Sequence, residues 1–276
     1  MPKNMPASVS ARYYHISARL WDSKSSSTHS IDPVKSKVIH FIRHGQGYHN
    51  FIDTVAKEAG AVISDVDDYN VAVKENRFYI QPALQDPPLT AEGYADARKL
   101  QEEVLSMNMD NDFFNPKMFI VSPLRRATQT VLIGFHHYLT QKEGTECPPI
   151  PIIALECCRE QYGIYYSDKR SDIGQYAIEF PGVSYEHIQS NEDVLWNKYS
   201  RESMTHMLSR QEEFLSFVRN QKEVQEVVVG THSGWLKAFT NGMLSIEVPE
   251  QRESIQSMFA TGEMRSLLLT WVEDST

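Results

Sequence analysis

Residues 38–45 read Val-Ile-His-Phe-Ile-Arg-His-Gly, an apolar run that stops at an arginine, a histidine and a glycine. Residues 227–234 read Val-Val-Val-Gly-Thr-His-Ser-Gly and repeat that arrangement far along the chain. Both runs have the composition of buried strands, and each places a histidine, His44 or His232, at its carboxyl end. Because ligands bind outside the carboxyl ends of the strands in an open α/β sheet, we expect the two histidines to share one crevice.

Segments with helical and strand patterns alternate along the rest of the chain. Apolar runs predict strands at residues 38–42, 117–121, 150–155, 227–230 and 266–272, and helical spacing predicts helices after Gly45 through Ala56, at residues 90–106, 124–139 and 204–218, and from about 234. Strands that alternate with helices form a mainly parallel sheet. The predicted fold class is therefore α/β, a three-layer sandwich with a mainly parallel central sheet and helices on both faces.

The ends and the middle of the chain differ in composition. Residues 1–35 are rich in serine and lack apolar periodicity, so we expect a disordered tail. The first 21 residues hold basic but no acidic side chains, which leaves a transit peptide as an alternative. Residues 36–276 are expected to form one domain. Within it, residues from about 160 to 200 turn to Gly, Tyr, Pro and Asp, which predicts a long excursion that caps the substrate over the active site.

The charge of the chain limits its partners. Its 27 Lys and Arg residues stand against 36 Asp and Glu residues, a net charge of −9. Nucleic acids and anionic membrane surfaces both select a basic face, so we expect neither as a partner. No apolar run approaches the roughly 18 residues that a membrane span needs, and the cysteines form no disulfide framework. The sequence thus favours a reduced, cytoplasmic protein that binds a small ligand.

The turn Arg43-His44-Gly45 has residue types that suit phosphoryl transfer. This reaction needs a nucleophile in line with phosphorus, positive groups around the phosphoryl oxygens and an acid for the leaving oxygen. A neutral imidazole is a good nucleophile near neutral pH, and a guanidinium can bind two oxygens at once. Gly45 lets the backbone turn closely around an anion. Taken alone, the same turn is equally typical of an ordinary surface loop.

Five segments in chain order resemble the signature motifs of the histidine phosphatase superfamily, the phosphoglycerate mutase-like proteins. They are residues 43–50 (Arg-His-Gly-Gln-Gly-Tyr-His-Asn), 86–93 (Asp-Pro-Pro-Leu-Thr-Ala-Glu-Gly), 122–130 (Ser-Pro-Leu-Arg-Arg-Ala-Thr-Gln-Thr), 158–163 (Cys-Arg-Glu-Gln-Tyr-Gly) and 229–234 (Val-Gly-Thr-His-Ser-Gly). The resemblance covers residues 38 to about 240. Within the superfamily, the sequence of residues 160–181 resembles that of the plant-type phosphoglycerate-mutase-like branch.

The resemblance implies a role for each matched position. His44 would be the nucleophile that carries a transient phosphohistidine. Arg43, Arg126 and His232 would line the phosphate pocket. Glu160 would protonate the leaving group and then accept a proton from the attacking water. Because arginines take the place of the magnesium that P-loop enzymes use, the resemblance implies no metal and no cofactor.

Two positions in these motifs have a neighbour that competes for the role. Arg125 adjoins Arg126, but the residue directly before Ala127 is the one that matches the family, so Arg126 is assigned to the pocket. Glu156 competes with Glu160, which matches because Gly163 follows it.

Three further polar residues follow His44. Gln46 and Asn50 are predicted to contact substrate, with capping of the loop as the alternative for each. His49 is either a bystander or a substrate contact.

The resemblance implies a metal-independent phosphatase that acts on a small phosphorylated metabolite. The alternative is a phosphoglycerate mutase, which needs extra basic groups to hold a bisphosphate. The mutases carry an E-R-x-Y-G-like stretch, whereas this chain has Glu160-Gln161-Tyr162-Gly163. A third reading, a non-catalytic regulatory protein that binds a phosphorylated ligand, is disfavoured because His44, Glu160 and His232 are all present. The sequence leaves the substrate and the oligomeric state open.

Overall fold

A seven-stranded sheet forms the centre of the chain in the computed structural model, which describes residues 14–21, 35–61, 68–75, 77–109, 114–140 and 149–273. Its strands are β1 (Tyr14–Leu20), β2 (Ser36–Arg43), β3 (Met118–Val121), β4 (Ile152–Ala154), β5 (Glu226–Thr231), β6 (Leu244–Ile246) and β7 (Met264–Glu273). Their spatial order is β4-β3-β5-β2-β7-β1-β6, and every strand except β7 points the same way. The prediction of a mainly parallel sheet is confirmed.

Helices cover both faces of this sheet. In the described ranges they are α1 (Tyr48–Glu58), α2 (Tyr69–Lys74), α3 (Ala91–Met109), α4 (Arg125–Gly134), α5 (His136–Leu139), α6 (Ile173–Glu179), α7 (Met204–Asn220), α8 (Ser233–Gly242) and α9 (Arg252–Gln256). Successive residues of a strand point to opposite faces. Phe41 and Val229 accordingly pack with residues of α7 and α8, whereas Ile42 and Val228 pack with residues of α3 and α4. The three-layer α/β sandwich is therefore confirmed.

The register of the central strands places the two strand-end histidines side by side. Strands β2 and β5 are parallel neighbours in which Arg43 pairs with Thr231. His44 and His232 each follow their paired residue directly, so both leave the sheet at the same edge. The backbone N–H of His44 donates to the carbonyl oxygen of Thr231 at 3.0 Å. This edge is the carboxyl end of both strands, where α/β sheets bind ligands.

The prediction that residues 1–35 are a disordered tail is wrong for Tyr14–Leu20. This segment is strand β1, which lies between β7 and β6 in the sheet. Ile16 and Ala18 are buried in the core. Alternate buried residues are typical of a strand with one buried face. In this segment the alternation covers few residues and is flanked by polar ones, so the sequence pattern did not indicate a strand. Residues 1–13 and 22–34 lie outside the described residues.

Other elements follow the sequence prediction closely, with differences at their ends. Thr90 caps α3, because its hydroxyl accepts the N–H of Gly93 at 3.1 Å. The helix predicted over residues 124–139 is divided at Phe135 into α4 and α5. Elements α2, α9 and β6 were not predicted, since each is too short to show a period. The excursion after Glu160 contains one α-helix, α6, and several loops. No helix in the described part of the chain is long and apolar enough to cross a membrane.

Candidate active site

A cavity of about 330 Å³ opens at the edge of the sheet where β2 and β5 end, and we call it the strand-end pocket. Its lining includes Arg43, His44, Asn50, Arg126 and Glu160, which come from three separate motifs of the sequence. The pocket therefore unites five of the seven positions that the sequence singled out. Its volume is at the lower end of the range for small-molecule sites.

His44 lies at the base of the strand-end pocket, with 2% of its surface exposed. Its Nδ1 lies 2.6 Å from the carbonyl oxygen of Gly45, and its Nε2 lies 3.2 Å from Nε of Arg126. A carbonyl only accepts and a guanidinium only donates, so both contacts assign the same neutral tautomer, with the proton on Nδ1. The lone pair of Nε2 is thus the reactive one.

The electrostatic surroundings keep His44 neutral. Burial is the main cause that holds the pKa of His44 well below its usual value, and the positive charges of Arg126 and Arg43 add to it. Burial in a medium of low dielectric constant disfavours the imidazolium form. The imidazole is therefore present in the form that can attack phosphorus.

Two arginines border His44 and are held in different ways. Arg43 donates from Nη1 to the carbonyl oxygen of Phe259 at 2.7 Å, and burial lowers its pKa. Arg126 is fully buried and donates to the carbonyl oxygen of Ser167 at 2.6 Å and to Oδ1 of Asp168 at 3.1 Å. The excursion thus fixes Arg126 from the side opposite His44.

The structure separates both competing pairs of residues. Arg126 lines the strand-end pocket, whereas the guanidinium of Arg125 pairs with Glu179 at 2.9 Å outside it. Glu160 lines the pocket, whereas the carboxylate of Glu156 pairs with the buried Arg159 and Arg170. The placement of Arg126 and Glu160 agrees with the choice made from the motifs.

Glu160 caps the beginning of α8. Its Oε1 accepts the backbone N–H groups of Gln161 and Trp235, both at 3.0 Å, and its Oε2 accepts that of Gly234 at 3.0 Å. A carboxylate has about four acceptor sites, so Oε2 keeps one lone pair for a proton. A Cβ on Gly234 would lie 2.4 Å from Oε1, so this approach requires glycine.

His232 lies beside His44 but does not line the pocket. The two ring centroids are 5.0 Å apart, and His232 is fully buried. Its Nε2 lies 2.7 Å from the hydroxyl of Ser122, and its Nδ1 is buried without a hydrogen-bond partner. Burial and the charge of Arg126 lower its pKa well below the usual value. In this geometry His232 supports the base of the pocket.

Of the two residues after His44 that were predicted to contact substrate, Asn50 lines the pocket and Gln46 does not. The amide oxygen of Gln46 accepts the hydroxyl of Thr90 at 2.7 Å, and its backbone oxygen accepts the N–H of Thr90. Gln46 therefore joins the loop to α3 and does not line the pocket, contrary to the substrate contact predicted for it. Asn50 lines the pocket, and its side-chain oxygen also accepts the N–H of Gly47 at 3.0 Å.

The pocket contains further residues to which the motifs assign no role. Arg201 and Lys237 add positive charge, and Tyr79 and Tyr165 form an aromatic wall. His49, which the sequence left open, also lines the pocket, with its ring centroid 5.7 Å from that of His44. No metal-binding cluster of three or more His, Cys, Asp or Glu side chains is found among the described residues. The expectation of a cofactor-free site stays a prediction.

Comparison with known proteins identifies the family. A family model described as histidine phosphatase superfamily (branch 1) matches residues 72–261, a range that contains Arg126, Glu160 and His232 and begins after His44. Phosphoglycerate mutase-like protein 1 of Arabidopsis thaliana is 28% identical over 255 residues, which cover 85% of this chain and 82% of the relative. Another phosphoglycerate mutase-like protein of the same plant is 24% identical over 254 residues, with 85% of both chains covered.

Solved structures that align with this chain include that of the mycobacterial glucosyl-3-phosphoglycerate phosphatase. That structure aligns with a TM-score of 0.47 at 17% sequence identity, and the alignment covers 87% of this chain and 98% of the other. The relatives from Arabidopsis confirm the resemblance to the plant-type phosphoglycerate-mutase-like branch. The chain belongs to the histidine phosphatase superfamily.

Proposed function

We propose that this protein is a phosphatase of small phosphorylated metabolites that works through a phosphohistidine on His44 and needs no metal. The observation that carries this proposal is the tautomer of His44. The ring presents the Nε2 lone pair beside Arg126 at the base of a cavity, and the neutral form is the nucleophilic one. Arg43 and Arg126 stand where the charge of a phosphoryl group would be compensated.

The proposed reaction has two displacement steps. In the first, Nε2 of His44 attacks phosphorus, the ester P–O bond breaks, and the leaving oxygen takes a proton from Glu160. In the second, water attacks phosphorus, the P–N bond breaks, and Glu160 accepts a proton from that water. Inorganic phosphate leaves, and Glu160 is protonated again for the next turnover. The free lone pair of Oε2 is the position that would carry this proton.

The residue after Glu160 favours hydrolysis over mutase activity. Gln161 occupies the position of the arginine in the mutase-like stretch, and its amide donates to the carbonyl oxygen of Glu202 at 2.7 Å. Gln161 supplies no positive charge for a second phosphate. The mutase remains the second candidate function because Arg201, at 3.4 Å from the oxygen of Gln161, brings a guanidinium to the same wall of the pocket.

Hydrolysis of an aryl phosphate with EDTA present tests the proposal. We expect wild type to release phosphate, His44→Ala to lose activity by about 10⁴-fold or more, and His187→Ala, at an exposed position outside the pocket, to retain it. Radiolabelled substrate should yield an acid-labile, alkali-stable phosphoenzyme that His44→Ala does not form. Equal hydrolysis by wild type and His44→Ala would exclude the mechanism. Rapid interconversion of 2- and 3-phosphoglycerate with added bisphosphoglycerate would favour the mutase.

A further inference from the structure

Arg201 is a third arginine of the strand-end pocket, and its positive charge is already compensated. Its Nη1 donates to Oδ2 of Asp168 at 2.9 Å and to the carbonyl oxygen of Gly163 at 3.0 Å. Its guanidinium carbon lies 4.2 Å from the ring centroid of Tyr165. Only 8% of the side chain is exposed. Arg201 is therefore a fixed part of the pocket wall.

Asp168 connects this outer arginine to the one beside His44. Its Oδ1 accepts Nη2 of Arg126 at 3.1 Å, and its Oδ2 accepts Nη1 of Arg201 at 2.9 Å. The carboxylate is 6% exposed, so solvent screens these interactions little. One buried negative charge thus stands between two arginines, both of which line the pocket.

The charged side chains of the lining leave a small positive excess. The cations are Arg43, Arg126, Arg201 and Lys237, and the anions are Asp53, Glu160 and Asp168. With neutral histidines the excess is one positive charge while Glu160 is ionised, and two while Glu160 carries the proton that it donates in the first step. A phosphate monoester carries about −1.5 to −2 charges near pH 7. The phosphoryl group alone therefore compensates the excess, and a second anionic group on the substrate would meet no unpaired buried cation.

The wall beside Arg201 suits an uncharged group. The rings of Tyr79 and Tyr165 lie with centroids 4.8 Å apart, and both line the pocket. The hydroxyl of Tyr79 donates to Oδ1 of Asp53, whose other oxygen pairs with Lys57 at 2.6 Å. Aromatic faces and a paired carboxylate bind apolar and hydroxyl groups, whereas a second anion would have to compete with Asp168 for the donors of Arg126 and Arg201.

We propose that Asp168 determines specificity by excluding a second anionic group, so that the substrate is a phosphate monoester of an uncharged alcohol. The inference rests on the proposed phosphatase function and narrows its substrate class. Glycerol 3-phosphate and 3-phosphoglycerate form a matched pair of probes, because they differ in having CH₂OH in place of a carboxylate. The ratio of their kcat/KM values isolates the effect of the second charge.

The test compares this ratio in wild type, Asp168→Asn and the control Asp172→Asn. Asp172 lies in the same excursion and does not line the pocket, so its replacement removes the same charge elsewhere. We expect wild type to prefer glycerol 3-phosphate by at least about tenfold. Asp168→Asn should shift the ratio toward 3-phosphoglycerate by at least about tenfold, and Asp172→Asn should leave it unchanged. If Asp168→Asn only displaces Arg126, kcat should fall equally for both substrates, and the ratio of their kcat/KM values should stay unchanged.

Two results overturn the inference while leaving phosphatase activity in place. One is a wild-type preference for 3-phosphoglycerate, which tests the proposal even where Asp168→Asn does not fold. The other is a folded Asp168→Asn protein with the wild-type ratio. If wild type hydrolyses neither probe nor an aryl phosphate, the phosphatase function itself fails, and the inference fails with it.

Discussion

Nε of Arg126 lies 3.2 Å from Nε2 of His44, so the guanidinium donates to the nitrogen that carries the reactive lone pair. The other end of Arg126 is fixed by Ser167 and Asp168. The arginine therefore selects the tautomer of His44 and sits beside the position where phosphorus would be attacked. Its planar fork makes several directed bonds at once, which a point charge cannot do.

Arg126→Lys tests whether this geometry matters beyond charge. The lysine keeps a positive charge but loses the donor to His44 and the paired contacts to the excursion. We expect kcat/KM for an aryl phosphate to fall about 10²- to 10³-fold. The control is Arg125→Lys, because the guanidinium of Arg125 pairs with Glu179 outside the pocket. Its kcat/KM should fall by less than about threefold. A similar, small effect of both variants would contradict a directed role for Arg126.

The buried histidines should make the fold sensitive to acid. Burial first, and then Arg126, holds the pKa of both His44 and His232 well below the usual value. Below about pH 6.5 the unfolded chain binds protons that the folded protein does not. The free energy of unfolding should therefore fall as the pH drops, by up to about 1.4 kcal/mol per pH unit for each histidine.

Denaturant unfolding of wild type and His232→Gln between about pH 7.5 and 5 measures this contribution. His232→Gln should show a shallower loss of stability below about pH 6.5 than wild type. His187→Gln, at a position with a 42% exposed side chain, is the control and should keep the wild-type slope. Parallel slopes for all three proteins would show that His232 does not titrate in this way.

Gly234→Ala should separate activity from stability. An added Cβ would lie 2.4 Å from Oε1 of Glu160 and would displace the carboxylate. Alanine is otherwise favoured over glycine in a helix by roughly 0.5–1 kcal/mol. We expect kcat to fall about 10²-fold with a change in stability below about 1 kcal/mol. The control is Gly182→Ala, where a Cβ meets no atom within 4 Å. Full activity of Gly234→Ala would mean that Glu160 does not need its present position.

The sequence predicted the part of the site that lies at strand ends. The residues around His44 and His232 are local to their strands, and the parallel register that brings them together follows from the α/β pattern. Arg126 and Glu160 were located by their motifs. Their partners could be only partly foreseen, because the backbone N–H groups that hold Glu160 belong to the beginning of α8.

The remaining residues could not be predicted because they meet through folding of the irregular excursion. Arg201 lies 41 positions after Glu160, in no motif, and reaches the pocket by pairing with Asp168. Gln46 shows the opposite error. It lies beside His44 in sequence, yet the turn directs it to Thr90. Position within a motif does not determine the direction of a side chain in a loop.

Glu160→Gln should affect substrates according to their need for a proton. An alkoxide leaving group is strongly basic and requires an acid, so hydrolysis of glycerol 3-phosphate should fall about 10²- to 10⁴-fold. p-Nitrophenolate leaves without protonation, so formation of phosphohistidine from its ester should fall much less. The amide retains the shape of the carboxylate, although its NH₂ group cannot accept the N–H bonds that hold Glu160.

Burst kinetics would separate the steps, because the second step also needs Glu160 as the base. With p-nitrophenyl phosphate, Glu160→Gln should show a larger burst than wild type, followed by slow turnover. Equal losses for both esters in the first step, with no burst, would argue that Glu160 positions substrate and does not transfer the proton.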